Sequence, residues 1–323
     1  MKKIKSIGLN ITLAATLGLT GCGGGGGSSS GNSSSSGNNS NLSFPSNAVS
    51  ATPTIENGEK VKDVVAKNQK TAYSINSIDT PSSSKNVALV MQEITNVTNQ
   101  INVQFYALNE TINQTESCSD GGTISYSGSG SDTGGATITY TFNNCNEYGV
   151  ILNGKFLAKM SNYNSTYDDY TTLNVTYLSD TTVSASGSTV KIYSGSTETL
   201  NFTNITGYGS ANTLKMTLSA IEEVNSIISG QKDSVYYFDL SSSQPKMYQT
   251  AGKIYINNLD SYVDYDTSYD MSQTPFIFNY SGLESGEARY IMANGGKAKI
   301  IAESGQSKVY IDTDGDGIYE LSE

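Results

Sequence analysis

The densest chemistry in the chain lies in its last twelve residues: Asp312, Thr313, Asp314, Gly315, Asp316, Gly317, Ile318, Tyr319, Glu320, Leu321, Ser322 and Glu323. Alternate carboxylates, then a glycine, then a further acid are hard oxygen donors spaced to wrap a hard cation. Asp312, Asp314 and Asp316 offer side-chain oxygens, Ile318 its carbonyl and Glu323 a last acid, while Gly317 makes the sharp turn. The same letters also spell a plain Asp-Gly turn joining Val309–Ile311 to Ile318–Leu321, which needs no ion. A second stretch interleaves Asp260, Asp264, Asp266 and Asp270 with Tyr262, Tyr265 and Tyr269. It reads as a cation or sugar site, or as a solvated acidic loop. Catalytic options are few. The chain has no histidine, which removes Ser-His-Asp and Cys-His pairs and histidine-ligated zinc. Paired carboxylates of a hydrolase remain open, because glycoside hydrolysis needs only two acids at the right separation, but no spacing singles out a pair. Ser188-Thr189-Val190-Lys191 has Ser-x-x-Lys spacing, yet it lies in a strand-like stretch rather than at a helix start.

Over its twelve residues the C-terminal segment resembles the calcium loop of the EF-hand family. The resemblance implies calcium ligands at Asp312, Asp314, Asp316, the Ile318 carbonyl and a bidentate Glu323. It departs from the family at both flanks, since Lys308–Ile311 alternates like a strand and no exit helix follows Glu323. Such a site would be weak, suited to millimolar calcium.

The other end of the chain fixes its address. Lys2, Lys3 and Lys5 precede an apolar stretch from Ile7 to Leu19, and Leu19-Thr20-Gly21-Cys22 closes it. These are the parts of a secretory signal peptide, and the apolar stretch is well short of the roughly 20 residues of a spanning helix. Cysteine directly after Leu-Thr-Gly resembles the lipobox of bacterial lipoproteins. In that family residues 1–21 would be removed and Cys22 would carry diacylglycerol and an acyl chain such as palmitate. Anchoring would then come from lipid rather than from redox or metal chemistry at Cys22. Gly23 after the cysteine fits sorting to the outer membrane.

Composition limits what the exported part can do. Of 323 residues, 36% are hydrophobic and only 15% charged, the rest being rich in Ser, Thr, Asn and Gly. With β-branched and aromatic residues spread through the second half, this favours an extracytoplasmic β protein. Cleavage after residue 21 removes three lysines and no acid, taking the net charge from −11 to −14. A strongly acidic chain with Arg289 as its one arginine cannot neutralise phosphates, so nucleic acid is not an expected partner. Cys118 and Cys145, an even pair in an exported protein, read as a disulfide.

The elements that must position these residues follow from patterning. Residues 22–53 combine the anchor with a Gly/Ser/Asn run that cannot bury anything and predicts a flexible tether. Residues 54–323 then predict one β-rich domain. Val61, Val64 and Val65 suggest a turn or two of helix near Lys60–Lys70. Val87, Val90, Met91, Ile94, Val97, Ile101, Phe105, Leu108 and Ile112 recur at three- and four-residue steps, predicting a long amphipathic helix over about 85–113. Strands are expected at 123–128, 136–143, 150–160, 171–178, 189–193, 198–205, 214–218, 234–240, 253–259, 275–280, 288–292, 297–302 and 308–311, with a short helix from Ser219 through Ile228. The expected fold is mainly β or α+β, a broad antiparallel meandering sheet packed by that long helix. The whole chain resembles the β-rich lipoproteins of Gram-negative bacteria. The expected function is non-enzymatic: a lipid-anchored domain of the cell envelope that binds a protein, glycan or lipid ligand or serves envelope architecture. A carrier of an apolar ligand or lipid and a carboxylate-based hydrolase are the alternatives.

Overall fold

The computed structural model describes residues 43–76 and 111–322, except for 132–133, 148–149, 167–168, 186–187, 208–209, 225, 240, 242–243, 245, 280–281 and 305. It is mainly β. A two-residue strand β1 (Val49–Ser50) leads into the helix α1 (Ile55–Asn76). The sheet then runs through β2 (Thr111–Ser117), β3 (Thr123–Ser131), β4 (Gly135–Glu147), β5 (Val150–Asn164), β6 (Asp169–Tyr177), β7 (Thr181–Ala185), β8 (Ser188–Ile192) and β9 (Thr197–Gly207). It continues with β10 (Ser210–Val224), β11 (Ile227–Asp239), β12 (Lys246–Ile256), β13 (Ser261–Tyr265), β14 (Phe276–Asn279), β15 (Gly282–Ile291), β16 (Lys297–Glu303), β17 (Gln306–Asp312) and β18 (Leu321–Ser322). These 18 strands belong to one sheet. Most consecutive strands pair antiparallel as a meander; β12 pairs with both β13 and β14, these two both pair with β15, β9 returns to β6, and the β7–β8 hairpin bridges β5 to β10. The short β1 is the exception among the described strands and pairs parallel with β13.

Side chains alternate across the strands, and one face buries a single apolar cluster. On β6, Leu173, Val175 and Tyr177 point into it, as the strand's alternation predicts, and Leu214, Met216 and Tyr236 on β10 and β11 join them. Helix α1 lies over this face against β12, β16 and β17. Thr54 caps the helix, its Oγ1 accepting the Asn57 N–H at 3.3 Å, and Val61, Val64 and Val65 are its buried stripe. The expected long helix falls mostly outside the described residues. Its final residues are described and overturn that end of it: Thr111, Ile112 and Asn113 begin β2, in register with Ser129, Gly128 and Ser127 of β3. A three-residue apolar step continued by coincidence into a strand whose β-branched Thr111, Ile112 and Thr115 favour extension. The helix expected from Ser219 to Ile228 is likewise corrected. Strand β10 runs on through Val224, the chain reverses at Ser226 (φ 65°), and β11 begins at Ile227.

Phe44, Ala48 and Ala51, which composition assigns to the tether, touch the folded body, and Ala51 is fully buried. Cys118, just past β2, and Cys145, in β4, stand at disulfide distance with Cα atoms 5.4 Å apart. The bridge therefore spans β3, from the end of β2 to β4. Both cysteines are buried, and the turn beneath is stitched by Asn146 N–H to Gly121 O at 2.8 Å. Closing a loop between cysteines 27 residues apart stabilises by about 3–4 kcal/mol. Replacing both with alanine is expected to lower the urea-unfolding free energy by that order, and an unchanged midpoint would contradict it.

Candidate functional site

Strand β17 delivers Asp312 to the mouth of the C-terminal loop, and β18 returns with Leu321 opposite Ile311. The loop is thus a hairpin, not a helix-flanked turn. Asp312 is completely buried, with Oδ1 accepting the Gly315 N–H at 2.6 Å and Oδ2 the Gly317 N–H at 3.0 Å. Asp314 and Asp316 each accept a backbone N–H two residues on, from Asp316 at 3.1 Å and Ile318 at 2.7 Å. Gly315 and Gly317 take the left-handed backbone (φ 84° and 93°) that such close turns need.

One carboxylate oxygen from each of Asp312, Asp314, Asp316 and Glu320 lies within 4.8 Å of the others. Oxygens across a calcium ion, each about 2.4 Å from it, stand apart by about that distance. Without a cation, four carboxylates this close repel by roughly 1 kcal/mol per pair even in water. Glu320 is the acid that sequence reasoning missed. It is four residues past Asp316, at the loop's ninth position, and Oε2 is held by the Thr313 N–H at 2.9 Å. The hairpin closure is what folds it back. Glu323 lies outside the described residues, and Ile318 is exposed. Lys299 Nζ stands 4.0 Å from the centre of the Tyr319 ring beside this loop.

The acidic stretch from Asp260 to Asp270 does not converge on a site. Its centre is β13, and three of its four carboxylates have separate duties. Asp264 pairs with Lys253, and buried Asp266 pairs with Lys297 at 3.0 Å and accepts the Ser268 N–H at 3.0 Å. Asp270 caps a short 3-10 turn through the Ser272 N–H at 3.0 Å. Tyr269 is covered by the Arg289 guanidinium, 4.2 Å from its ring centre. Ser188 and Lys191 both lie on β8, and Lys191 pairs with Asp180 at 2.9 Å. Cys22 lies outside the described residues.

Two acids that no spacing signalled sit inside the core. Glu198 on β9 and Glu222 on β10 are 2% and 5% exposed, and no partner meets Glu198 Oε1 or the nearby Tyr177 hydroxyl. Burial, reinforced by Glu222, holds the Glu198 carboxyl well above its usual range. Burial and both acids do the same to the Tyr177 phenol. This pair is closed over by the sheet, whereas a hydrolase pair must admit substrate and water.

No protein-family model, no curated protein and no solved structure matches this chain. A carboxyl whose pKa is raised by folding adds stability that is complete below about 4.5 and is lost as pH climbs through the raised value. Glu198→Gln is therefore expected to melt higher than the wild type at pH 8–9 by several degrees, of the order expected for about 1 kcal/mol or more. The gap should shrink towards pH 5. A gap independent of pH would show that Glu198 is not a buried neutral acid.

Proposed function

We propose that the protein is a non-enzymatic, membrane-anchored lipoprotein of the cell envelope. Lipidated Cys22 holds it to the outer membrane, and the β-rich domain is displayed for binding or envelope architecture. The observation that carries this reading is the junction between the low-complexity run and the fold. Immediately after the Gly/Ser/Asn residues, Phe44 docks on the sheet and β1 enters it beside β13, which is how a displayed domain takes up load from a tether. Two acyl chains give the stable attachment that one alone does not. No described helix is long and apolar enough to cross a membrane.

In this reading the C-terminal loop holds calcium through Asp312, Asp314, Asp316 and Glu320, with the Ile318 carbonyl and Glu323 completing the shell. The approach of one carboxylate oxygen from each of Asp312, Asp314, Asp316 and Glu320 to within 4.8 Å of the others supports it.

Two outcomes follow. Cys22→Ala is expected to move the protein from the membrane to the soluble fraction, with slower migration from the retained signal peptide; unchanged fractionation would sink the anchor. Chelation of the purified domain should lower its melting temperature by a few degrees, reversed by millimolar calcium but not by magnesium. No shift on chelation would leave the loop a simple hairpin turn.

A further inference from the structure

Strand β10 changes partners in its last third. Up to Ser219 it pairs with β9, the final step being Ser219 opposite Thr197. From Glu222 to Val224 it pairs with β8 instead, in register with Ile192, Lys191 and Val190. On its other edge the register with β11 slips between Leu218 and Ala220. The ladder is thus interrupted on both edges around residues 219–221. A side chain fills part of the gap, the Ile221 N–H donating to Ser196 Oγ at 3.1 Å. A slip of this kind takes backbone groups out of the ladder and bends the strand.

Two buried acids flank this interruption. Glu198 lies in register between Val175 of β6 and Leu218 of β10, and Glu222 between Ile192 of β8 and Ser229 of β11. Both are on the inner face, Glu198 with Leu200 two residues on and Glu222 with Val224. Tyr177 ends β6 beside them. Its N–H donates to Ser196 O at 3.0 Å and its carbonyl accepts the Gly195 N–H at 2.8 Å. Its hydroxyl, like Glu198 Oε1, is buried with no partner. Strand β11 brings buried Ser229, Gln231 and Ser234, and Tyr236, whose hydroxyl donates to Gln231 Oε1 at 2.5 Å. Strand β8 brings Val190 and Ile192. The charged sequence neighbours serve the opposite face, where Lys191 pairs with Asp180 at 2.9 Å and Glu223 accepts the Tyr193 hydroxyl at 2.6 Å. The groups named on the inner side are hydroxyls, an amide and aliphatic chains, and none carries a positive charge.

A carboxylate in such surroundings is unfavourable, and a second acid beside it makes it more so. Protonated, Glu198 suits the closed core; ionised, it needs water. Water enters with least disruption where the ladder is already broken. We propose that Glu198, Glu222 and Tyr177 form a proton-operated latch on the β8–β9–β10 junction, closed while Glu198 keeps its proton and opened locally when the proton is lost. Burial and Glu222 raise the Glu198 carboxyl. The closed junction therefore has its full stability below about 4.5 and loses it as pH climbs through the raised value. Opening is an alkaline response confined to the junction. The Tyr177 phenol is raised as well and stays neutral throughout, so Glu198 is the group that acts.

The test is hydrogen–deuterium exchange of the whole folded protein from about pH 5 to about pH 9, read by mass spectrometry and corrected for the intrinsic pH dependence of exchange. Peptides covering 193–200 and 217–224 are expected to lose at least about ten-fold in protection as pH rises, while those of β16 and β17 keep theirs. Glu198→Gln should stay protected at the alkaline end, since an amide has no such proton to lose. Equal loss in all peptides, or none at the junction, overturns the proposal, and so does a Glu198→Gln protein that still opens with pH. If that variant does not fold, Glu222→Gln takes its place and should shrink the loss at the junction; an unchanged loss counts against the latch. If neither folds, the wild-type profile alone decides between a local loss and a uniform or absent one.

Discussion

A sheet that makes one of its faces apolar must find something to lay over that face, and every other feature of this protein answers to that requirement. The meander from β2 to β17 sends alternate side chains to one side, and the resulting cluster runs from Ile124 on β3 to Ile311 on β17. A broad twisted sheet of this size curls. Curling brings its own apolar face together, and α1 contributes Val61, Val64 and Val65 to the same cluster. The uncharged Ser, Thr and Asn side chains that dominate the composition take the opposite face. There they form cross-strand hydrogen bonds such as Thr199 Oγ1 to Asn174 Oδ1 at 2.8 Å.

Against that background the polar interior is costly. A buried carboxyl beside a second acid stays neutral more cheaply than it stays charged, so Glu198, buried beside Glu222, ties the core to pH. By contrast, Asp266 and Asp312 are buried with partners: Lys297 for the first, and the backbone N–H groups of Gly315 and Gly317 for the second. Two kinds of buried acid thus coexist in one fold. One is a satisfied structural group at a loop mouth, and the other is Glu198, whose Oε1 has no partner within the sheet. The Asp312 loop also abuts the turn that receives the N-terminal segment, since a Cβ on Gly315 would stand 2.6 Å from Gly295 O.

Much of the architecture was legible from period-two alternation. The strands expected at 171–178, 123–128 and 136–143 are found as β6, β3 and β4. What failed did so for local reasons. At Ile112 a helical spacing ran into a strand, and at Ser219 a capping pattern lay inside the long β10. Strand β13 was hidden because Asp260–Asp270 is rich in acids, although Val263 and Tyr265 point into the core. In the candidate site, Asp312, Asp314 and Asp316 were readable because their spacing is itself the chemistry. Glu320 was not, because only hairpin closure returns it to the cluster. The Glu198–Glu222 pair comes from separate strands, and no linear spacing could have joined them.

The proposed lipid anchor of the folded domain stands or falls with Cys22. It is tested by the mass of the N-terminal peptide released by proteolysis of the protein taken from membranes. A lipidated Cys22 predicts a peptide that begins at that residue and carries the mass of a diacylglyceryl group and an acyl chain. A peptide that begins elsewhere, or an unmodified Cys22, would contradict it.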